Sequence, residues 1–292
     1  MKINKKIIQL SFLMFCLSFC FCSMNAEAAS GKKKEVKKEK QQKEKIVISD
    51  YSSIFDAEYY YNTYPDLQVV FGKDNEKLFQ HFVNHGMKEG RVGSAEFNVK
   101  AYMKNNLDLV ALFKADDLTE YYAHFANAGK NEGRIANYQS DQILKEGMLS
   151  THTTYYNPQE ARATNVEVAA SRINGVVVKP GESFSYSTTL KPRTLENGYV
   201  NGPVIKNGKF VDGLGGGICQ VSSNLYVSML LAGIEPTEHH YHSLPVEYVP
   251  EGLDAVIAKG AFDLRFTNYF THDVIIEATA IDGVLTVSIL RG

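Results

Sequence analysis

Cysteine is scarce in this sequence of 292 residues, and its distribution excludes several kinds of site. There are four cysteines, of which Cys16, Cys20 and Cys22 lie close to the amino terminus. Cys219 is the single thiol in the rest of the chain, so no internal disulfide can form there. A paired CxxC of the type that holds structural zinc is also missing. A lone thiol in an exported chain is either buried and inert, available for an intermolecular bond, or reactive.

Long apolar runs are also rare, and the one at residues 7–22 follows three lysines. The small residues Ala26 and Ala28 come next, in the small-x-small pattern of a cleavage site. This order predicts a signal peptide over residues 1–28 and therefore a secreted, extracytoplasmic protein. The run has 16 residues, fewer than the roughly 20 that a bilayer span needs, although an uncleaved membrane anchor stays an alternative.

Apolar side chains are nearly absent from Lys32–Lys45, where eight lysines and three glutamates occur among 14 residues. Such a composition cannot bury enough surface to offset the entropy of ordering, which predicts a disordered linker over residues 29–50. After Lys45 there are 20 basic and 29 acidic residues, a net charge of −9. A basic tether beside an acidic body suits attraction to an anionic wall polymer or lipid. A solubilising spacer is the alternative.

Residues 51–140 contain an internal repeat with an offset of 42 to 43 residues. Phe55, Tyr60, Asp66 and His81 recur as Phe97, Tyr102, Asp108 and His124. Apolar residues at helical spacing, each followed by a glycine, predict two small helical units that pack on each other. With one histidine per unit, we expect a packing or capping role rather than metal binding. Binding of wall glycan through the aromatic side chains is a further hypothesis for this module.

The C-terminal part, residues 150–292, alternates predicted strands with two helices. Alternation of apolar residues and turn signals predict strands at Thr151–Tyr156, Val176–Val178, Phe184–Tyr186, Leu244–Val249, Val274–Ile281 and Val284–Leu290, and a hairpin around Asn207-Gly208. Apolar spacing predicts helices at Pro158–Asn174 and Gln220–Leu231. The expected fold class is α+β: a mixed, sheet-rich domain with one helix that carries the cysteine, preceded by the helical repeat module.

Cys219 lies between the glycine run Gly215–Gly217 and the start of the second predicted helix. Three adjacent glycines cost backbone entropy, and they are useful where the backbone approaches a ligand closely. The positive end of a helix dipole lowers the pKa of a thiol placed there. The neighbouring N–H groups are suited to hold the oxyanion of a tetrahedral intermediate. This combination favours a nucleophilic cysteine.

Three histidines follow Cys219 by 20 to 23 residues, at His239, His240 and His242. If the second helix is followed by a returning strand, this segment comes back beside the helix start. The spacing alone does not decide which histidine reaches the thiol. Surface histidines and a metal site are the alternatives, and the spacing fits no standard zinc site. Together with the glycine run, the cluster favours acyl-transfer chemistry.

A series of short motifs in this region resembles the VanW domain, over about residues 150–292. The motifs are Arg162 with Asn165, Pro180–Ser185, Gly198-Tyr199, Gly215–Ser223, His242-Ser243, Tyr248–Pro250, Gly252, Asp254-Ala255 and Phe266–Asn268. Members of that family are understood as peptidoglycan L,D-transpeptidases that use a cysteine. The resemblance implies a cell-wall-associated enzyme that joins stem peptides through 3→3 cross-links, with no metal or other cofactor and no nucleic-acid partner.

The resemblance also implies roles for individual residues. Cys219 takes the place of the nucleophile, and His242, paired with Ser243, becomes the favoured base over His239 and His240. The sequence has Glu238 and His239 where many members show Glu-Arg, so the role of that position is open.

Several further residues are candidates for the site of this reaction. The amides around Gly216 and Gly217 are expected to bind the oxyanion. Gln220, Arg193 and Arg265 are candidates for binding the substrate carboxylate, each with a structural role as its alternative. Asp254 either orients the histidine or caps a loop.

Two other function classes stay open at this point. One is a cysteine peptidase or carboxypeptidase that hydrolyses stem peptides, because the sequence does not choose between an amine and water as acyl acceptor. The other is a non-catalytic wall-binding protein in which Cys219 is buried.

Overall fold

A computed structural model describes residues 51–115, 117–138, 146–206, 208–258 and 260–292. The predicted signal peptide and lysine-rich linker lie outside these ranges. Asp50–Gly292 form one compact unit, so the repeats and the C-terminal part share a single body. Within the described ranges no helix has the length and apolar character that a bilayer crossing requires.

The repeat region is helical, and its two units are built alike. The first contains α1 (Ala57–Thr63), α2 (Pro65–Phe71) and α3 (Asn75–His81), and the second contains α4 (Val99–Asn105), α5 (Leu107–Phe113) and α6 (Thr119–His124). The first helix of each unit begins at a side-chain cap: Asp56 accepts from the Tyr59 N–H and Asn98 accepts from the Ala101 N–H. The expectation of a helical region before the sheet-rich part is confirmed.

The repeat histidines are bonded to buried tyrosines. The Tyr60 hydroxyl lies 3.1 Å from His81 Nδ1, and the Tyr102 hydroxyl lies 2.8 Å from His124 Nδ1. Both tyrosine rings are buried, so they are not accessible to a sugar. Across the described ranges, no group of three or more histidine, cysteine, aspartate or glutamate side chains is arranged to hold a metal ion.

The C-terminal part consists of antiparallel sheets. Its strands are β1 (Met148–Tyr155), β2 (Val176–Val178), β3 (Ser183–Ser185), β4 (Asn201–Lys206), β5 (Lys209–Leu214), β6 (Pro236–Glu238), β7 (Arg265–Thr267), β8 (Val274–Ile281) and β9 (Val284–Arg291). The main sheet has the order β1-β9-β8-β2, a smaller one the order β3-β7-β6, and β4 and β5 form a hairpin. The predicted α+β class is confirmed.

Three helices accompany these sheets: α7 (Arg162–Ile173), α8 (Tyr186–Thr189) and α9 (Ile218–Leu231). Helix α7 begins later than the predicted Pro158, because the Asn157 side chain accepts from the Gln159 N–H and forms a turn there.

Helix α9 packs against the main sheet and is tied to it by polar side chains. Asn224 donates to the Leu285 carbonyl at 3.0 Å, and Ser228 donates to the Val287 carbonyl at 2.8 Å. Strand carbonyls of β9 thus bond directly to the helix that carries Cys219.

The predicted strand at Leu244–Val249 was wrong, since the chain is irregular there. Pro245 lies within this segment and Pro250 directly follows it, and proline supplies no N–H to a ladder. The direction of His242 is therefore set by something other than a strand.

Candidate active site

Cys219 is the second residue of α9, and the geometry of the helix start exposes it selectively. Gly217 precedes the helix with φ +114°, a backbone conformation that L side chains rarely adopt. Every other residue of α9 is buried, whereas Cys219 is only partly buried. Cys219 is therefore the one residue of this helix that keeps partial exposure to solvent.

The glycine turn before α9 is pressed against the β4–β5 hairpin. A Cβ on Gly216 would lie 2.5 Å from the carbonyl carbon of Gly202 and from the carbonyl oxygen of Pro203. The Asn165 side chain fixes the turn further, because its Nδ2 donates to the Gly216 carbonyl at 2.7 Å. Its Oδ1 accepts from the Val200 N–H at 2.8 Å. The fold thus requires glycine at position 216 for close backbone approach.

The N–H groups of this turn divide into bonded and unbonded ones. Gly216 donates to the Gly213 carbonyl and Ile218 to the Gly215 carbonyl, each at 3.4 Å. The N–H groups of Gly217 and Cys219 form no hydrogen bond with the described residues. Two free amides beside the sulfur have the arrangement that an oxyanion hole needs. Gly217 and Cys219, rather than Gly216, supply these free amides.

His242 lies between Cys219 and Asp254. Its Nδ1 is 2.7 Å from Asp254 Oδ2, which also accepts from the His242 backbone N–H at 2.6 Å. The Cys219 sulfur is the second group that acts on the charge of this imidazole, so the ring lies near both the thiol and the carboxylate. Only 6% of the His242 side chain and 10% of the Asp254 side chain are exposed, so both groups are shielded from water.

The charges around His242 favour its protonated form. Burial disfavours the imidazolium, but the Asp254 carboxylate and the Cys219 sulfur outweigh it and raise the pKa of His242 to about 9. Burial likewise acts against ionised Asp254, yet its hydrogen bonds from His242 hold the pKa of the carboxyl below its ordinary value. A protonated imidazole beside the sulfur is the arrangement that stabilises a thiolate.

The segment that carries Asp254 is attached directly to the first turns of α9. Ser222 donates to the Ala255 carbonyl at 2.6 Å, and Ser223 accepts from the Ala255 N–H at 2.9 Å. Two residues after Ala255, the Ile257 N–H donates to Cys219 Sγ at 3.4 Å. These bonds hold the carboxylate and the thiol in one frame, and they give the sulfur an additional donor.

The other two histidines of the cluster have different partners. The His239 ring stacks on Tyr226 with centroids 3.9 Å apart, and its Nε2 donates to the Asp254 carbonyl at 2.7 Å. Burial lowers the pKa of His239. His240 Nε2 lies 3.4 Å from the Glu238 carboxylate. Of the three, His242 is the one placed at the sulfur.

Gln220 is a buried structural group. Its Nε2 donates to Thr154 Oγ1 and to the Tyr155 carbonyl, both at 2.9 Å, while its Oε1 accepts from Arg162 at 2.9 Å. Both amide atoms are occupied, which leaves Gln220 unsuited to bind a substrate carboxylate. Ser243, next to His242, is exposed.

The two arginine candidates differ in the partners they have. Arg265 is paired with Asp263 at 2.9 Å and with Glu238 at 3.2 Å, so its charge is already neutralised. Arg193 forms no ion pair or hydrogen bond with the described part of the chain, and its aliphatic stem lies against Gly215. Arg193 is therefore the better-placed cation for an anionic substrate group.

Sequence reasoning gave no role to several residues that hold the site together. Asn165 and Ser223 fasten the glycine turn and the Asp254 segment, and the Tyr186 hydroxyl donates to the Ile218 carbonyl at 2.9 Å. A signal for some of them was present, because the polar residues Ser222, Ser223 and Asn224 stand side by side in a largely apolar segment. Polar side chains on a buried helix need hydrogen-bond partners inside the protein.

Residues 161–290 match the family model described as VanW like protein. The chain is 35% identical over 142 residues to the uncharacterized protein YoaR of Bacillus subtilis, covering 48% of this chain and 47% of that protein. It is 33% identical over 127 residues to the vancomycin B-type resistance protein VanW of Enterococcus faecalis, covering 41% of this chain and 46% of that protein.

The match thus spans less than half the length of either curated relative. No solved structure matches the chain. Cys219, His242 and Asp254 all lie within the matched residues. The chain therefore carries a domain of the VanW-like family over residues 161–290.

Proposed function

We propose that this protein is a cysteine-dependent peptidoglycan L,D-transpeptidase that acts outside the cell. The observation that carries the proposal is the Cys219–His242–Asp254 arrangement at the exposed end of a buried helix. The family match and the relative named for vancomycin resistance support a role at the cell wall. The sequence pattern of a signal peptide supports export.

In the first step, the Cys219 thiolate attacks the carbonyl carbon of the third residue of a tetrapeptide stem. A C–S bond forms, and the free N–H groups of Gly217 and Cys219 bind the resulting oxyanion. The intermediate collapses when the amide C–N bond breaks, and the His242 imidazolium donates its proton to the departing D-alanine amine. A thioester between the stem and Cys219 remains.

In the second step, a side-chain amine of a neighbouring stem attacks the thioester. The new C–N bond forms, the C–S bond breaks, and His242 accepts the proton of the attacking amine. Asp254 keeps the imidazole oriented in both steps through its bond to Nδ1. Arg193 is the residue proposed to attract a carboxylate of the stem, because it lies at the glycine turn without a counter-ion.

The substitution Cys219→Ala tests the nucleophile. One small, partly exposed side chain contributes little packing, so the variant should fold as the parent does. It should form no cross-links when the purified protein is incubated with muropeptides bearing tetrapeptide stems, as analysed by mass spectrometry. Cross-linking by the alanine variant would refute the proposal.

The same assay separates the other function classes. Release of D-alanine and tripeptide without cross-links would assign a carboxypeptidase. A parent protein that leaves muropeptides unchanged, with a thiol that is not alkylated under native conditions, would indicate a wall-binding protein. As a matched pair, His242→Ala should cut turnover roughly 100-fold, whereas His240→Ala, which removes a ring bonded to Glu238, should change it little.

A further inference from the structure

Lys114 has an unusual backbone in the second repeat. It directly follows α5 and adopts φ 62° and ψ −155°. The matching position of the first repeat, after α2, is Gly72, with φ 58° and ψ −146°. The two repeats therefore require the same left-handed backbone at this point, and glycine meets the requirement without strain.

A non-glycine residue with positive φ is disfavoured because its Cβ crowds the backbone, and strain of this kind is concentrated at functional positions. Repeat one shows that glycine is compatible with the local fold. The local fold of repeat two therefore does not explain why lysine stands at this position. The contacts of its side chain outside the helix do.

The Lys114 side chain reaches the loop that carries the candidate catalytic pair. Its Nζ donates to the Gly252 carbonyl at 3.0 Å and lies 5.8 Å from the centroid of the Tyr241 ring. Tyr241 directly precedes His242, and Gly252 stands two residues before Asp254. One ammonium group thus contacts both ends of the loop between the imidazole and its carboxylate.

The backbone of Lys114 is held from two sides. The Tyr121 hydroxyl donates to the Lys114 carbonyl, and the next residue, Ala115, donates its N–H to Glu235 Oε1 at 3.2 Å. The first repeat has Leu78 at the position of Tyr121, so it has no hydroxyl for this bond. Both repeats share the backbone conformation, but a side chain in that conformation and the hydroxyl that supports it occur only in the repeat that contacts the loop.

A second path runs through aromatic rings. The Tyr241 ring lies edge-on to His239, with centroids 4.5 Å apart, and His239 donates to the Asp254 carbonyl. A shift of Tyr241 would disturb the His239 ring and the carboxylate segment together. Lys114 can therefore affect the position of Asp254 by two routes, through Gly252 and through Tyr241 with His239.

We propose that Lys114 is a positioning residue for the His242–Asp254 pair, which makes the second repeat a part of the active site's support. The inference rests on the proposed function, because it concerns the geometry of the same thiol and imidazole. The second repeat would then support the geometry of the candidate site, in addition to any role in binding wall material.

The substitution Lys114→Gly tests the proposal, since it installs the residue that repeat one uses and removes the side chain alone. Thermal stability should stay equal or rise, because the backbone strain is relieved. The rate of Cys219 alkylation by iodoacetamide at pH 7 should fall roughly fivefold to tenfold, as should cross-linking, because the imidazolium is less well placed. Lys114→Arg, which keeps a cationic donor, should restore most of both rates.

Lys191→Gly is the matched control, because Lys191 is an exposed lysine with φ 61°. It should show the same gain in stability with no change in alkylation. Equal alkylation rates in Lys114→Gly and the parent would overturn the inference, and so would an equal loss in Lys191→Gly. If Lys114→Gly is poorly folded, Lys114→Met provides the same comparison with the side-chain stem retained.

The alkylation readout does not depend on cross-linking. An unchanged rate in Lys114→Gly with active cross-linking in the parent would reject only the positioning role. If alkylation is slower in Lys114→Gly than in the parent, but the parent makes no cross-links, only the transferase proposal would be rejected.

Discussion

At the scale of single residues, two neighbouring groups act against the effect of burial on the pKa of the His242 imidazole. The carboxylate of Asp254 and the sulfur of Cys219 both stabilise the imidazolium, and the pKa is raised to about 9. The ring is consequently protonated at neutral pH, which is the state that stabilises a thiolate and that later donates a proton to a leaving amine.

The substitution Asp254→Asn should lower the titration midpoint of His242 by roughly 1–2 pH units, because the amide is neutral. With less imidazolium near pH 8, the sulfur loses part of its stabilisation and iodoacetamide should react more slowly. The midpoint can be measured by NMR titration of the imidazole. Asp263→Asn is the control, since Asp263 bonds to Ser185 and Arg265 and not to His242. An unchanged midpoint in Asp254→Asn would contradict the assigned role of the carboxylate.

The sequence predicted the place of the candidate thiol in the fold better than the groups that hold it. Cys219 was expected at a helix start and is found there, because a glycine run before an apolar segment is a local signal. The bond from Asn165 to Gly216 joins residues 51 positions apart and follows no periodicity. Such bonds depend on how α7 and the glycine turn are docked, which no local pattern encodes.

At the scale of elements, the start of α9 depends on the fit between the glycine turn and the β4–β5 hairpin. The turn, the hairpin and helix α7 meet within contact distance at Gly202, Gly216 and Gly217. Any atom added here must move backbone rather than a flexible side chain. The position of the thiol is therefore sensitive to small changes in this contact.

Gly216→Ala should displace the helix start, because its Cβ has no room beside Gly202 and Pro203. We expect a loss of roughly 1–3 kcal/mol in the free energy of unfolding and a fall of more than about tenfold in cross-linking, since a displacement of about 1 Å near reacting groups has that effect. Urea denaturation and the muropeptide assay give the two values.

Gly233→Ala serves as the comparison, at the other end of the same helical segment. Its φ is +77°, and a Cβ there meets no atom within 4 Å. It should lower stability by about 1–2 kcal/mol through backbone strain without slowing the alkylation of Cys219. If both variants slow alkylation equally, loss of stability rather than displacement of the turn would explain the effect.

Element predictions succeeded where the pattern was local. The strands β8 and β9 follow from apolar alternation around Asp282-Gly283, and their ladder runs from Ile281 and Val284 outward. The failure at Leu244–Val249 has a physical cause, since prolines interrupt and follow the segment and the loop instead gains its bonds from Asp254 and Lys114.

At the scale of the whole molecule, the free energy of unfolding depends on pH, and one source of this dependence is His152 on β1. His152 Nε2 is buried and has no hydrogen-bond partner in the described part of the chain. Burial, with a smaller effect of Lys104, lowers the pKa of His152 to about 4. The folded protein therefore holds this ring neutral. Above about pH 6.5, the ordinary pKa of histidine, the ring is neutral in the unfolded chain too, and His152 does not lower the free energy of unfolding through protonation.

As the pH falls from about 6.5 to 4, the unfolded chain binds a proton that the folded chain does not. The free energy of unfolding should then decrease by up to about 3 kcal/mol from this residue. His152→Phe, which keeps an aromatic ring without the titrating group, should remove most of that slope. Urea denaturation of both proteins at pH 7, 5.5 and 4.5 measures it, and parallel slopes would show that other groups are responsible.

The contact between Lys114 and the loop lay beyond sequence prediction. The repeat pattern identifies positions 72 and 114 as equivalent, but it does not show that only one of them faces another part of the chain. That depends on how two units with nearly the same sequence pack in one body, which is a property of the assembled core.

The unequal use of the two repeats has a consequence for how the chain tolerates change. In the second repeat, Lys114 donates to the Gly252 carbonyl, and a Cβ on Gly252 would lie 3.7 Å from the Ala111 Cβ. In the first repeat, Val69 and Val70 are exposed at 89% and 68%, and a Cβ on Gly72 would meet no atom within 4 Å. We therefore expect substitutions on that first surface to leave the candidate site unchanged, so the first copy of the duplicated unit is free to diversify while the second is held by its contacts with the loop.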